Sequence, residues 1–394
     1  MANAAWTGWL GAVAAVALLG PMSAAPARGE KDERVLPDPP ANGVMGFVVA
    51  DFLDPIVPGT EACPDGPSPK LRDAFLEGLS AEERARLTMP ENSEELERGW
   101  RSQVFGAGGT NICSQPDMFD RPLLSTVQND LAWGLDLDGD GGAGKGSDTT
   151  CAGEDFVSPE GMRGVDNQSY RVQGCKLEWR GLDGMPSDIS VGIRQFHQSG
   201  EWTQVILLRG VDSLEHDPDV EVIYGNTPDR PFMDSKGRFL PGATFTISDE
   251  PPRHRNVLKG RIDNGVLTTV PTHIELTQTW GQGGARDIRG NRATYDYHEG
   301  RLRLEFQTDG SLKGLVGGYR PLFDIIISPS LGGVGSAVVA GIDCAAELKT
   351  LRKYADGMRN PQTGQCEGIS SAQQITAVPA FVNDIPPKTR TAAR

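Results

Sequence analysis

The chain has 394 residues, enough for two or three average domains or one large all-β domain, and its 49 glycines and 28 prolines argue against a helix bundle. Its formal net charge of −15 at pH 7 disfavours nucleic acids and anionic membrane surfaces as partners, because both are anionic and the lysines and arginines form no basic stripe. The composition therefore predicts a globular, turn-rich protein that does not bind nucleic acid.

Residues 1–27 have the features of a secretory signal peptide. The run LGAVAAVALL is apolar but shorter than the ~20 residues that a helix needs to span a bilayer. The small residues SAAPA follow, and cleavage after Ala27 is favoured over cleavage after Ala25 because Pro26 makes the latter bond a tertiary amide. The opening MANAAWTGW contains no lysine or arginine, so an uncleaved anchor is the alternative. We expect a secreted or periplasmic protein with no membrane span once the signal is removed.

A linker and a group of short helices are expected next. Residues 28–60 begin with a charged, proline-rich stretch without an apolar period, and ordered structure is expected from about Val44. Residues 61–134 contain apolar side chains three or four positions apart, and Ser80 with Glu83 forms a capping box. We predict two or three short helices in this segment.

Residues 135–176 begin with LDLDGDGGAGKG, the most specific motif in the chain. Asp136, Asp138 and Asp140 stand at alternate positions and Gly141 follows, which matches the first half of a calcium-binding loop. In such a loop the alternate carboxylates converge on one cation and the glycine permits a sharp turn. This stretch therefore predicts a calcium site.

The second half of the calcium loop is missing, because its twelfth position is Ser147 rather than glutamate. The remaining oxygen ligands would have to come from later residues, and Asp148, Glu154, Asp155 and Asp166 are the nearest candidates. We include Asp148 and Asp155 in the predicted site. A solvated acidic turn that binds no ion is the alternative.

A phosphate-binding loop is disfavoured for the same stretch. Gly139, Gly144 and Lys145 satisfy the G-x-x-x-x-G-K spacing, but Gly146 occupies the position where serine or threonine must ligate magnesium. The three neighbouring aspartates would also repel a triphosphate.

The cysteine pattern predicts three disulfides, because the count is even and no C-x-x-C pair suggests a zinc ribbon, redox motif or haem attachment. Six cysteines allow about fifteen connectivities. Pairing of sequence neighbours is expected because it closes the shortest loops. The expected pairs are Cys63 with Cys113, Cys151 with Cys175, and Cys344 with Cys366.

Residues 177–325 are predicted to form an antiparallel β core, either a sandwich or a barrel-like structure. Asn264-Gly265 and Asp309-Gly310 each separate two alternating runs, and both dipeptides tolerate the positive φ angles of two-residue hairpins. Strand-helix-strand alternation is missing, which disfavours a doubly wound fold. The alternating stretches include Ile189, Val191 and Ile193.

An aromatic face within this β core is the predicted ligand-binding surface. Trp280 ends one alternating strand, and Tyr295 and Tyr297 share a face of a neighbouring strand. Aromatic rings stack on sugar rings, so carbohydrate or another extracellular ligand is the expected partner. Burial of these aromatic side chains in the core is the alternative.

A hydrolase that uses paired carboxylates is the alternative function, with Asp217, Glu221 and Glu275 as its candidates. The chain shows no nucleophile elbow and no H-E-x-x-H motif, and its five histidines have no metal-ligand spacing. The motifs therefore favour a non-catalytic module over an enzyme.

Residues 326–394 are predicted to be a C-terminal helical segment and tail, since CAAELKTLRKYADG has helical periodicity and ends at Gly357. We therefore expect a mainly β protein with short helices on either side of its core. It would be exported, disulfide-bonded and calcium-stabilised, and it would bind an extracellular ligand or act at the cell surface.

Overall fold

An eight-stranded antiparallel barrel is the centre of the structure. The structure is a computed structural model, and it describes residues 35–57, 62–106, 108, 110–181, 187–248, 253–277, 294–326 and 341–384. The strands in these ranges are β1 (Val44–Leu53), β2 (Phe156–Val157), β3 (Arg163–Val165), β4 (Gln204–Arg209), β5 (His216–Asn226), β6 (Thr244–Ile247), β7 (Arg255–Asp263), β8 (Val266–Thr269), β9 (Thr272–Thr277), β10 (Thr294–Phe306), β11 (Leu312–Pro321), β12 (Gly357–Arg359) and β13 (Cys366–Asp384).

The barrel has up-and-down connectivity. Its order is β1-β4-β5-β7-β8-β10-β11-β13, and β13 pairs with β1 to close it. Asn264 and Gly265 both have positive φ in the β7-β8 hairpin, and Gly310 has positive φ in the β10-β11 hairpin. The predicted β-rich, barrel-like core is confirmed, and so is the two-residue turn at Asn264-Gly265. Asp309-Gly310 lies in the predicted place between two strands, but the connection is longer than two residues.

Side chains fill the barrel interior. Residues of β10 alternate between buried and partly exposed, as a strand with one face on a core must. The resulting core is continuous around the barrel and includes Phe47, Trp202, Tyr224, Leu304 and Val316. Eight strands leave an interior that side chains can fill, so the barrel is a packed core rather than a channel.

The helices in the described ranges are α1 (Leu71–Glu77), α2 (Ala81–Leu87), α3 (Ser93–Arg101), α4 (Gln168–Gln173), α5 (Leu177–Arg180), α6 (Asp188–Ser199), α7 (Leu322–Ile326) and α8 (Cys344–Tyr354). The three short helices α1 to α3 agree with the prediction, and Ser80 Oγ accepts the predicted capping bond from the Glu83 amide. Helices α1, α3, α7 and α8 share one apolar core that includes Leu71, Trp100, Ile325 and Leu351.

Two assignments made from the sequence are wrong. Ile189, Val191 and Ile193 lie in α6 rather than in a strand, because Ser187 caps the helix by accepting a bond from the Ser190 amide. The segment predicted as helical from residue 326 onward contains α8 but also β13, which closes the barrel. Pairing with β1 and β11 therefore determines the conformation of this segment.

The disulfide pairing expected from the sequence is also wrong. The bonds join Cys63 to Cys175, Cys113 to Cys344, and Cys151 to Cys366, with separations of 112, 231 and 215 residues. Each pair has its Cα atoms between 4.9 and 6.2 Å apart. Closure of the barrel and packing of the helices bring distant segments together, which outweighs the entropic advantage of short loops. Three disulfides are typical of a protein that folds in an oxidising compartment.

Among the described residues, no helix has both the length and the apolar character needed to cross a bilayer.

Candidate metal centre

The acidic glycine-rich loop that follows Leu135 folds back on the segment that contains Cys151. Gly144 and Gly146 both have positive φ, and a Cβ atom at either would lie within 2.6 Å of the backbone of residues 152–153. The disulfide from Cys151 to Cys366 attaches that segment to β13. Glycine is therefore required for the close approach that holds the loop in place.

Asp166 connects this loop to the end of β3. Its Oδ2 atom accepts hydrogen bonds from the amides of Leu137 at 2.6 Å and Asp138 at 3.3 Å, and its own amide donates to the Leu135 carbonyl. Asp136, Asp138 and Asp166 each offer one carboxylate oxygen, and these oxygens lie within 4.8 Å of one another. The Asp166 side chain is buried, whereas Asp136 and Asp138 are partly exposed, so the cluster lies at the edge of the buried region.

Asp155 and Asp356 lie close enough to Asp166 for their charges to raise its pKa. Phe156 pairs with Val165 in the β2-β3 ladder, so Asp155 and Asp166 are neighbours at its end, and their carboxyl groups are hydrogen-bonded. Asp155 Oδ2 is buried and has no hydrogen-bond partner among the described residues. Asp356 follows α8, and its charge raises the pKa of Asp166. We call Asp136, Asp138, Asp155, Asp166 and Asp356 the carboxylate centre.

Four carboxyl groups of the carboxylate centre have raised pKa values. Burial, followed by the charges of Asp356, Asp138 and Asp155, raises the pKa of Asp166 to about 8. Burial raises the pKa of Asp356 to about 7, and burial together with neighbouring carboxylates raises the pKa values of Asp138 and Asp155. Burial is the largest cause of each shift, and the charges of neighbouring carboxylates add to it.

The positive charge of Arg301 lowers the pKa of Asp138 and partly offsets the effect of burial. Its Nη1 and Nη2 atoms donate to the backbone carbonyls of Asp136 and Leu137. Its guanidinium therefore binds the backbone of the loop.

Of the five residues predicted to ligate a metal, Asp136 and Asp138 belong to the cluster whose carboxylate oxygens converge. Asp155 is hydrogen-bonded to Asp166, the third member of that cluster. Asp140 instead organises the loop, since its Oδ1 atom accepts from the amides of Gly142 and Ala143 and its Oδ2 atom accepts from Lys145. These backbone hydrogen bonds lower the pKa of Asp140. Asp148 is exposed and has no part in the centre.

Two members of the carboxylate centre were not in the predicted site. Asp166 stood among the nearby candidates, and its place beside Asp138 results from the bridge that it forms with Leu135. Asp356 lies far along the chain in YADG, a helix-ending sequence without any metal-binding pattern. No sequence motif links the residues after α8 to the glycine-rich loop, so the sequence gives no signal that Asp356 lies near Asp166.

The predicted aromatic ligand face is not formed at the surface. Tyr295 and Tyr297 are fully buried in the barrel, where Tyr295 stacks on Trp202 with ring centroids 5.2 Å apart. The Tyr297 hydroxyl donates to Gln373 Oε1. Trp280 lies outside the described residues. The assignment of the two tyrosines to a ligand-binding face is therefore wrong, because their strand positions point into the barrel.

The carboxylates considered for a hydrolase serve three separate interactions. Asp217 is buried and accepts hydrogen bonds from the amides of Asp212 and Asp219, which organises the turn before β5. Glu221 pairs with Arg209 at 3.1 Å, and Glu275 lies 3.2 Å from His254. No hydrogen bond or ion pair within the described ranges joins these carboxylates as an acid and a base.

The carboxylate centre offers an all-oxygen ligand set, which suits a hard divalent cation. Sequence and structure comparisons found no matching protein-family model, curated protein or solved structure.

Proposed function

We propose that the protein is an exported, disulfide-bonded barrel module that calcium stabilises at the carboxylate centre. The observation that carries this proposal is the convergence of the Asp136, Asp138 and Asp166 carboxylates. Beside them, Asp155 has a buried oxygen without a hydrogen-bond partner among the described residues. A buried carboxylate is costly unless it is paired or binds a cation. A divalent ion at this point would replace mutual repulsion by attraction.

Calcium fits the ligand set better than other common divalent ions. It binds six to eight oxygens from carboxylates, backbone carbonyls and water in a flexible geometry, and the glycine-rich loop supplies accessible backbone. Zinc prefers nitrogen and sulfur ligands, and magnesium keeps several water molecules in a near-ideal octahedron. The carboxylate centre contains neither imidazole nor thiolate.

The proposed role of the ion is structural. Calcium would join the glycine-rich loop to the end of the β2-β3 ladder, because Asp136 and Asp138 come from the loop and Asp166 follows β3. Asp166 and Asp356 are only 4% and 7% exposed, which is too buried for contact with a large substrate. An ion with these ligands would stabilise the fold rather than perform chemistry.

Thermal unfolding of the full chain with and without calcium tests this proposal. Extracellular calcium sites have Kd values of about 0.1–1 mM, so about 10 mM calcium would stabilise the native state by roughly 1.4–2.7 kcal/mol. The melting temperature should rise by several degrees and fall again on chelation. An unchanged melting temperature at that concentration, in a protein that is otherwise folded, would rule out the calcium site.

We propose further that the extracellular ligand is an acidic carbohydrate, bound in a groove of about 540 Å³ on the outside of the barrel. Lys259 and Arg261 on β7 and Arg303 on β10 line this groove, together with Asp136 of the carboxylate centre. Arg301 and Asp219 also line the groove, so cationic side chains outnumber acidic ones there although the chain has a net charge of −15. Cationic groups beside a bound calcium ion would attract carboxylate-bearing sugars.

Isothermal titration with an acidic oligosaccharide and a neutral one of equal length tests the carbohydrate proposal. We expect binding of the acidic sugar alone, and weaker binding by Lys259→Gln and Arg303→Gln. Lys236→Gln is the matched control, since Lys236 is exposed outside the groove. Equal binding of both sugars, or equal affinity in the groove variants and the control, would contradict the proposal.

A further inference from the structure

Two histidines and an aspartate lie together on the outer side of strands β9 and β10. Tyr297 pairs with Ile274, so the next residue of β10, His298, lies beside His273 of β9. Asp296 precedes His298 by two positions and therefore shares its face of the strand. Neighbouring strands thus place these three side chains together, although their spacing in the sequence shows no metal motif.

The ligand atoms of these three residues converge. His273 Nε2 lies 2.5 Å from Asp296 Oδ1, and His298 Nε2 lies 3.4 Å from Asp296 Oδ2. One ligand atom from each residue lies within 4.8 Å of the other two. The two imidazole rings are 5.0 Å apart at an angle of 32°, so both present nitrogen atoms to the same carboxylate. We call these residues the His-Asp-His cluster.

Other histidines of the chain provide an internal comparison. His216 pairs with Asp263 at 2.8 Å, and His254 pairs with Glu275 at 3.2 Å, each as one imidazole and one carboxylate. Such pairs are ordinary surface contacts. In the His-Asp-His cluster each oxygen of the Asp296 carboxylate contacts one imidazole nitrogen. Two imidazole nitrogens and one carboxylate oxygen therefore lie close enough to bind a single ion.

We propose that His273, Asp296 and His298 bind a divalent transition-metal ion of the zinc class. Two imidazole nitrogens and one carboxylate oxygen suit zinc and its neighbours, whereas calcium and magnesium prefer oxygen ligands alone. Three protein ligands leave a fourth position for water or for an external ligand, as in zinc sites that take part in chemistry. This site shares no residue with the carboxylate centre.

The surroundings of the cluster allow an ion to enter. The side chains of His273, Asp296 and His298 are 52%, 22% and 41% exposed. Ligands of a tetrahedral zinc ion at about 2.0 Å are about 3.3 Å apart, so the present distances require only small rotations of exposed side chains. Both histidines also line a shallow groove of about 510 Å³.

A β-bulge follows His298 directly. The pairing register of β10 shifts between His298 and Arg301, and Glu299 adopts a positive φ of 52° within the shift. Bulges redirect side chains and are frequent beside functional sites. Glu299 and Arg359 line the same groove as the two histidines, so charged groups surround the position that an external ligand would occupy.

Calorimetric titration of the untagged full chain with zinc tests the proposal. Calcium is kept saturating, so that the carboxylate centre does not compete for zinc. We expect one zinc ion to bind per chain, with affinity reduced at least tenfold in His273→Ala and in His298→Ala. His216→Ala is the matched control, because His216 forms a single exposed pair with Asp263, and its zinc affinity should equal that of the wild type.

Cobalt substitution provides a second readout. Bound Co²⁺ should give visible absorption that zinc displaces and that His298→Ala loses. If an alanine variant fails to fold, Asp296→Asn replaces it, since the amide keeps the size of the side chain and removes the charge. The proposal is overturned if the wild type binds no zinc at millimolar concentration, or if the cluster variants bind zinc as tightly as His216→Ala does.

Discussion

The backbone amide of Cys151 donates a 2.8 Å hydrogen bond to the carbonyl oxygen of Asp356. Cys151 is also bonded to Cys366 at the start of β13, so one residue attaches the glycine-rich loop both to the barrel and to a member of the carboxylate centre. The disulfide and the proposed calcium ion therefore hold the same segments together.

Removal of this disulfide should weaken calcium binding as well as the fold. Replacing Cys151 and Cys366 by serine should cost about 2–5 kcal/mol of unfolding free energy and should raise the calcium Kd, because the loop loses its attachment. Urea unfolding and calcium titration measure the two effects. Replacing Cys63 and Cys175 by serine is the matched control, and we expect it to lower stability by a similar amount while changing the calcium Kd less. Equal changes in Kd would show that the disulfide acts only through overall stability.

Asp138→Asn should abolish the calcium dependence of the melting temperature. In chelator the variant should be at least as stable as the wild type, because one of the mutually repelling carboxylates is gone. Asp148→Asn is the matched control in the same segment and should keep the full calcium effect, since Asp148 is exposed and outside the centre. Differential scanning calorimetry with calcium and with chelator makes the comparison. A calcium effect that survives in Asp138→Asn would place the ion elsewhere.

Lys145→Ala tests the phosphate-loop alternative. The Lys145 amide donates to Asp140, and this hydrogen bond does not depend on the side chain. The variant should therefore keep its calcium-dependent melting temperature, and nucleotide should stabilise neither protein. Stabilisation of the wild type by nucleotide, lost in Lys145→Ala, would support the phosphate loop instead.

Asp54 should make the protein less stable as the pH rises. Burial raises its pKa to about 6, above the value of about 3.9 expected in the unfolded chain. The folded state therefore binds the proton more tightly, and this contribution is fully present below pH 4 and is lost as the pH rises through about 6. The loss should be on the order of 2–3 kcal/mol.

Asp54→Asn provides the measurement of that effect. Asparagine keeps an oxygen for the hydrogen bond that Gln373 Nε2 donates at 2.7 Å, but it cannot titrate. Urea unfolding at pH 4.5 and at pH 7, in chelator, should show a smaller fall in unfolding free energy for the variant than for the wild type. An equal fall in both proteins would mean that Asp54 does not contribute.

Tyr297→Ala should destabilise the barrel by about 3–5 kcal/mol, because it leaves a cavity in a packed core. Tyr297→Phe should cost about 1 kcal/mol, since it removes the hydroxyl that donates to Gln373. Chemical denaturation of both variants provides the values. A cost below 1 kcal/mol for Tyr297→Ala would be incompatible with a core position.

Features that depend on neighbouring residues were predictable from the sequence alone. Asn264-Gly265 and Asp309-Gly310 form hairpins because the φ angles of a turn depend on its own residues. Ser80 caps α2 through the amide of Glu83 only three positions away. The period-two pattern of β10 follows in the same way from strand geometry. Local energetics thus determined the mainly β character of the fold and the position of its turns.

Features that join distant segments were decided only by the tertiary structure. The three disulfides, the meeting of Asp166 with Asp356, and the contact of His273 with His298 all depend on which strands become neighbours. The conformation of β13 depends on pairing with β1 and β11. The sequence shows that Tyr295 and Tyr297 share one face of their strand, but only the barrel determines that this face is buried. Closure of the barrel set these relationships, because burial of apolar side chains inside it outweighs local preferences and the entropy of long loops.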